Sequence, residues 1–308
     1  MKILVSGLLN TETTTAVRGF PIHYYSIDYP FFGIQTGVSG VAFNIAKALR
    51  TLGDEVRLTS MTGSDFPAAY IRDALEKLNI STEHVQSKLR QTPSSVVLYD
   101  PEGNRQIYCD LKDIQDTAYG FSPAVLEDID LVAACNINFN RPLLHLAKRA
   151  GKEIATDVHV LSDIYDDYNR EFMECADILF LSDEGIGEHY GPFLWQLAHT
   201  YECKIIVLGR GARGAAMFLR ETDQILELPA ASVGKVVNTV GAGDALFSAF
   251  LHFYAKGCTP VEALRRAQLF AAHKITVSGA AEGFVSEQII DQWVEKSAFP
   301  GYMGAVTK

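Results

Sequence analysis

A chain of 308 residues, 48% hydrophobic and 21% charged, has enough apolar material for one large or two ordinary domains with a substantial core. Its formal net charge of −10 argues against a nucleic-acid or anionic-membrane binder, because no basic block offsets that field. No uninterrupted apolar stretch reaches about 18 residues, so no membrane-spanning helix is expected.

The start, MKILVSGLLN, carries one positive charge and no cleavage signal, and reads as a first strand rather than a secretory leader. From there strand-like and helical runs alternate: KILVSG, GVAFNIAKALRTLG, EVRLTSM and FPAAYIRDALEKLNI, then DLVAACNI, RPLLHLAKRAG, EIATDV, ADILFLS and KIIVLG. Two helices follow, beginning near Gly243 and Thr259. Such alternation implies crossover units and a parallel sheet flanked by helices. Within GVAFNIAKALRTLG the residues Val41, Ile45, Ala48, Leu49 and Leu52 keep helical spacing, and Gly53 supplies the stop. Thr259-Pro260-Val261-Glu262 is a capping box with proline in the first turn, and opens what reads as the last helix.

Residues 11–36 and 93–111 break this rhythm. Both are rich in Tyr, Phe, Ile and Val with Pro or Gly turns, and together they read as a small β-sheet made from two insertions beside the main sheet. Such a sheet serves either as a lid over a cleft at the carboxyl ends of the parallel strands, where open α/β sheets bind ligands, or as a dimerisation flap. Phe20, Tyr24 and Tyr25 read as packing within it, and Arg105, Tyr108 and Asp110 as side chains able to meet a substrate. With no linker or repeat, residues 1–308 are expected to form one domain. Five scattered cysteines without a C-x-x-C pair point to buried, reduced thiols in a cytoplasmic protein, and the eight histidines lack metal-ligand spacing, so no structural zinc is expected. His252, inside an apolar helix, reads as structural.

Two glycine-rich loops compete for an anion. Gly209, Gly211 and Gly214 have G-x-G-x-x-G spacing after a strand, with Glu227 downstream, but AAMFLRETDQILELP continues as strand, turn and strand. A dinucleotide site needs a helix to start at that loop, so its context fails. VVNTVGAGDALFSAF has that context: Gly241-Ala242-Gly243 leaves three amides unshielded where a helix begins. Free amides and the positive helix end attract an anion, and suit the charge of a phosphoryl group in transfer. Asp244, in the same first turn, suits a proton acceptor. Taken alone, the loop is equally an ordinary helix entry with an acidic first turn.

NTVGAGD (238–244) resembles the carboxyl-terminal signature of the ribokinase (PfkB) family of sugar and nucleoside kinases, D-T-x-G-A-G-D. GVSGVAFNIAKALRTLG (37–53) resembles its amino-terminal signature, a glycine pair followed by x-x-x-N-x-A and a helix ending in L-G. The two motifs stand in the family's order, with interrupting lid strands between the main elements. The resemblance implies a ribokinase-like three-layer α/β/α sandwich with a mostly parallel central sheet and a small β-sheet lid. It implies transfer of the γ-phosphate of ATP, with Mg2+, to a hydroxyl of a small sugar or nucleoside, usually an exocyclic CH2OH.

By the same resemblance Asp244 is the catalytic base and Gly241, Ala242 and Gly243 the anion hole. Gly40, Asn44 and Glu12 fall at its substrate side; from their positions alone Asn10 and Arg105 are further substrate candidates, and Asn136 and Asn138, at a strand end facing the cleft, are either substrate contacts or turn residues. Ser182, Gly209, Gly211, Gly243 and Gln268 fall at the ATP side, and Asp157 orders the site through other groups. The chain also departs from the pattern. Ser39 replaces the first glycine of the pair, and Glu12 stands where the family usually has aspartate. The family's magnesium-organising N-x-x-E is replaced by Ser182-Asp183-Glu184-Gly185, leaving Asp183 or Glu184 as metal candidates. Asn238 replaces the first aspartate of the signature, near a loop that binds a monovalent cation in many members, which leaves that requirement open. A homodimer through the lid is the expected assembly; a noncatalytic, metabolite-binding role is the reading from another class.

Overall fold

The computed structural model describes residues 1–296 and 305–306. Its central sheet is buried on both faces, and the first strand shows why. In β1 (Lys2–Ser6), Ile3 and Val5 enter one apolar layer and Leu4 the opposite one, all without exposed surface. A strand alternates its side chains between faces, so a continuous apolar run must be covered twice.

In chain order the elements are β2 (Asn10–Ala16), β3 (Ile34–Ser39), α1 (Val41–Leu52), β4 (Glu55–Thr62), α2 (Phe66–Lys77), β5 (Val85–Ser87), β6 (Ser94–Tyr99) and β7 (Arg105–Asp110). There follow β8 (Leu131–Ala134), α3 (Arg141–Arg149), β9 (Glu153–Val160), α4 (Arg170–Cys175), β10 (Ile178–Ser182), α5 (Tyr190–Thr200) and β11 (Ile205–Gly209). The chain then runs through β12 (Ala215–Leu219), β13 (Gln224–Leu228), α6 (Ala242–Ala255), α7 (Pro260–Lys274), α8 (Glu287–Lys296) and β14 (Ala305–Val306).

The large sheet has the order β14-β13-β12-β11-β10-β9-β8-β1-β4-β5. From β5 to β11 neighbouring strands are parallel; β12, β13 and β14 add an antiparallel edge. One apolar layer joins the sheet to α1, α2, α6 and α7, and the other joins it to α3, α4 and α5. This is the three-layer α/β/α arrangement with a mostly parallel sheet. The AAMFL–QILEL stretch is the β12–β13 hairpin, so no helix follows Gly214 and the dinucleotide reading fails structurally.

Helix α6 is apolar almost all round, with Phe247, Ala249, Phe250, Leu251 and Phe253 buried. Phe247 and Phe250 meet Phe180 of β10 edge-on, with ring centroids 5.1 and 5.2 Å away. Such aromatic pairs add roughly 0.5–1.5 kcal/mol beyond their burial, which fixes where α6 begins relative to the strand ends. Helix α7 opens with the capping box expected from Thr259 and Glu262. It is not the last helix: α8 follows. Ile290 is the one buried residue of α8, and Trp293 and Val294, partly buried, pack on the same apolar layer.

Segments 11–36 and 93–111 meet in a separate four-stranded sheet, in the order β3-β2-β6-β7, with β2 and β6 parallel. Between β2 and β3 the chain is irregular. There Tyr24 and Phe31 are 91% and 85% exposed, so Tyr24 is not packing within the sheet. Of the cysteines, Cys135, Cys175 and Cys203 are buried, but Cys109 on β7 is exposed; all five are free thiols. Among the described residues no helix is long and apolar enough to cross a membrane.

Candidate active site

The parallel strands β1, β4, β8, β9, β10 and β11 end on the same edge of the large sheet, and β2 leaves β1 on that edge to start the small sheet. The 236–244 loop reaches it from β13. Asn238 Oδ1 accepts a 2.7 Å hydrogen bond from the Val240 amide, a turn that aspartate would make equally well, so the departure from the family signature leaves the local backbone intact. The amides of Val237 and Asn238 donate to the Ile275 carbonyl, lacing the loop to the end of α7.

Gly241 then turns the chain into α6 with φ of 78°. A Cβ there would lie 2.2 Å from the Ala280 carbonyl oxygen, so close approach as well as the left-handed backbone demands glycine. The cap has no side-chain hydrogen bond. Gly243 is exposed, and a Cβ on it would stand 3.9 Å from Asp157 Oδ2, which places the amino end of α6 against the end of β9. Unshielded amides at a helix start form a positive, anion-accepting concavity.

Asp244 lies in that first turn. Asn44 Nδ2 donates to Asp244 Oδ2 at 2.7 Å, tying α6 to α1. Burial pushes the Asp244 carboxyl above the usual carboxylate range, and nearby Asp157 pushes the same way; His159, the Asn44 amide and Lys274 oppose them. A crowded carboxylate that keeps some surface toward the cleft is suited to accept a proton. Asp157 Oδ1 is held by the His159 amide at 2.8 Å, so Asp157 acts on the site from the strand end.

Asn44 is positioned by Gly40, which caps α1 with φ of 100° and whose absent Cβ would be 2.5 Å from the Leu8 carbonyl oxygen. From the small sheet, Asn10 Nδ2 donates to Ser95 Oγ at 3.2 Å, and Ser39 Oγ to Glu12 Oε2 at 3.3 Å. Burial raises the Glu12 carboxyl, opposed by Ser39, Lys274 and Ser95, with Asp244 adding to the rise. Asn10 Oδ1 and Asn44 Oδ1 are buried acceptors without a hydrogen-bond partner. Buried amide oxygens left unpaired are costly, and beside two carboxylates they suit ligand hydroxyls.

Strand register separates the residues of β7. Glu12 pairs with Ser95, Ser95 with Cys109, and Tyr99 with Arg105, so Glu12, Arg105 and Cys109 share one face. Tyr108 and Asp110 lie on the other, where Tyr108 accepts from Gln106 and Asp110 pairs with Lys112, so neither is on the face of Glu12. Arg105 Nη1 donates to Thr239 Oγ1 at 2.7 Å, linking the small sheet to the signature loop. Asn138 and Asn136 are engaged in hydrogen bonds within the protein. The Asn138 amide is engaged with Gln115 and Arg141, and Asn136 donates to Asn169.

On the neighbouring strand ends, Ser182 Oγ accepts the Glu184 amide at 3.3 Å, Gly209 ends β11, and Gly211 begins the short turn after it. Gln268 is buried on α7 and donates to the Leu228 carbonyl at 3.3 Å. Asp183 is buried and bonded by Arg213 Nη2 at 2.5 Å, with Arg210 Nε 3.8 Å away, while Glu184 is exposed. A carboxylate already matched by two guanidiniums does not fit a magnesium ligand. Among the described residues no group of three or more His, Cys, Asp or Glu could hold a metal.

Sequence reasoning missed Lys274, His159 and Thr239. His159 carries a left-handed φ of 59° directly beyond Asp157, which no periodicity reveals. The Lys274 signal was visible: it continues the buried series Ala263, Ala267 and Phe270 on one face of α7, a spacing at which lysine is out of place.

A model of the family described as pfkB family carbohydrate kinase matches residues 2–287. A fructosamine kinase of Bacillus subtilis is 23% identical over 279 residues, covering 86% of this chain and 91% of its own. Among solved structures, a microbiome-derived acarbose kinase has a TM-score of 0.85 at 23% identity, over 96% of this chain and 98% of that one. The nucleoside kinase of Methanocaldococcus jannaschii, described as an archaeal member of the ribokinase family, has 0.80 at 20% identity with the same coverage. These likenesses show the ribokinase-like fold.

Proposed function

The chain belongs to the pfkB family of carbohydrate kinases, and from that membership we propose that it transfers the γ-phosphoryl group of ATP to a hydroxyl, preferably an exocyclic CH2OH, of a small sugar or sugar derivative. The observation that carries this reading is Asp244 in the first turn of α6, bonded by Asn44 and preceded by the glycine turn of 241–243, in which only the Ala242 amide is engaged, by the Thr239 carbonyl at 3.2 Å.

The acceptor lies between the small sheet and α1, its hydroxyls bonded by Glu12 and by the unpaired oxygens of Asn10 and Asn44. Asp244 takes the proton of the reacting hydroxyl as its oxygen forms a bond to the γ-phosphorus. The bond to the bridging oxygen breaks, and its electron pair leaves with ADP. The 241–243 amides face the charge spread over the moving oxygens, a stabilisation by position and electrostatics. ATP lies along the ends of β10 and β11 against Ser182, Gly209 and Gly211, with Gln268 behind. Mg2+, when bound with ATP, would neutralise phosphate charge; Asp183, held by Arg213, does not fit as its ligand.

The exposed rings of Phe31 and Phe32, the latter 98% exposed, suit a homodimer through the small sheet. Sedimentation of the wild type against Phe31→Asp/Phe32→Asp tests this, with a monomer expected for the variant. Free thiols and the chain's acidity suit a cytoplasmic setting.

The function is tested by ADP release with MgATP and a panel of sugars, amino-sugar derivatives and nucleosides. Turnover with one acceptor class is expected, lost in Asp244→Asn. Calorimetric binding of panel compounds with no ADP formed would replace the kinase reading with a metabolite-binding one.

A further inference from the structure

Lys274 is the last residue of α7 and has no exposed surface; it is the one lysine among the described buried polar and charged residues. Its ammonium donates to the carbonyl of Val240, the residue immediately before Gly241. Satisfying a single turn carbonyl requires only a neutral donor, whereas burying an ammonium carries a large desolvation cost. Fixing a full charge at this point therefore needs an electrostatic reason.

The surroundings supply one. Asp244 and Glu12 face Lys274 from α6 and β2 and attract it; Arg105 on β7 repels it, and Glu282, itself paired with Lys47 at 2.8 Å, attracts it. Lys274 also sits at the carbonyl-rich, negative end of α7, to which the signature loop is laced through Ile275. The ammonium thus bonds the carbonyl just before the 241–243 turn and lies in the field of two carboxylates.

We propose that Lys274 is the fixed internal cation of the phosphoryl-transfer site: a positioning residue that holds the Val240 carbonyl, and with it the anion-binding turn, and keeps Asp244 and Glu12 charged for the acceptor. The proposal rests on the kinase reading of the site. Burial lowers the ammonium from 10.5 to about 8, so the charge is present at neutral pH and lost just above it. Turnover then declines on the alkaline side as Lys274 deprotonates.

The experiment combines kinetics with titration of the full chain. Lys274→Met is expected to lose at least tenfold in kcat at pH 7, with KM for ATP changed less than threefold and the alkaline decline abolished. Lys274→Arg is expected to recover part of kcat and to move the decline to higher pH. In the nucleotide-free protein labelled with [13Cε]lysine, the resonance missing from Lys274→Arg should titrate near pH 8. Its midpoint should fall in Asp244→Asn and in Glu12→Gln. Wild-type kcat in Lys274→Met, or a midpoint unmoved by both carboxylate variants, overturns the proposal. Should Lys274→Met not fold, the midpoint shifts decide alone. A wild type that phosphorylates nothing in the panel defeats the kinase reading, while the titration still judges whether this cation is coupled to those carboxylates.

Discussion

Asn44 and Asp244 stand 200 positions apart in the chain and are joined by a 2.7 Å hydrogen bond between the amide of one and the carboxylate of the other. The bond brings the first helix, proposed to hold the acceptor, to the helix that carries the proposed base. Asp244→Asn keeps the shape and removes the basicity, so kcat is expected to fall by about 10²–10⁴, the usual worth of a general base, with ATP affinity nearly unchanged. Steady-state kinetics with calorimetric ATP binding checks this; wild-type turnover would remove Asp244 from the mechanism.

The same bond sets the acid side of the pH profile. Burial raises the Asp244 carboxyl above 3.8 and the Asn44 amide opposes that rise, so turnover grows with pH as the carboxylate forms. Asn44→Ala removes the opposing donor. The acid limb of kcat should therefore move to higher pH, whereas a shift downward would show that Asn44 does not stabilise the charged form.

Stability should show the opposite dependence. A carboxyl whose folded pKa is raised binds more protons in the folded than in the unfolded state between the two values, so its contribution to stability falls as pH rises through that window. Asp244→Asn removes this penalty. The variant should melt at a higher temperature than the wild type at pH 7, by roughly 2 °C for each kcal/mol relieved, with the difference shrinking toward pH 4. Thermal melts across that range measure it, and an unchanged difference would point to packing as the cause.

Much of this was legible in the sequence because it depends on local pattern. Alternating apolar runs specify a sheet buried on both faces, and Gly241 to Asp244 at the head of an apolar run specify a glycine turn into a helix with an acidic first turn. What escaped depends on register and on long-range neighbours. Arg105 and Tyr108, three apart on one strand, alternate to opposite faces, but only the pairing with β6 tells which of them shares the face of Glu12. Asp183 reads as a free carboxylate until Arg213, 30 residues later, is folded onto it. Asn138 sits at a strand end facing the cleft, but its amide is taken by Gln115 and Arg141.

Arg105 and Thr239 offer a test of how the small sheet communicates with the signature loop. Their 2.7 Å bond joins β7 to the residue two before Gly241. Each single change, Arg105→Ala or Thr239→Val, is expected to raise KM for the acceptor about three- to tenfold, or up to about 1.4 kcal/mol. The double variant should be little worse than either single one, since both remove the same bond. Fully additive effects would mean that the two residues act separately.

Gly241 gives the strictest constraint. Its φ of 78° and the 2.2 Å approach of a hypothetical Cβ to the Ala280 carbonyl oxygen leave no room for alanine without moving backbone on both sides. Backbone strain of this kind costs on the order of 1–3 kcal/mol, small enough for the domain to fold but large enough to displace the 241–243 amides. Because transition-state charge is stabilised by donors fixed in place, a displaced turn loses rate before it loses structure. Gly241→Ala is therefore expected to fold, with a modestly lower melting temperature, and to lose about 10²-fold or more in kcat. Gly53→Ala is the matched control: its φ of 105° is also left-handed, but nothing lies within 4 Å of a Cβ there and it caps the far end of α1. It should lose comparable stability and keep its turnover. If Gly241→Ala were as active as that control, the 241–243 turn would be a helix entry and not an anion hole.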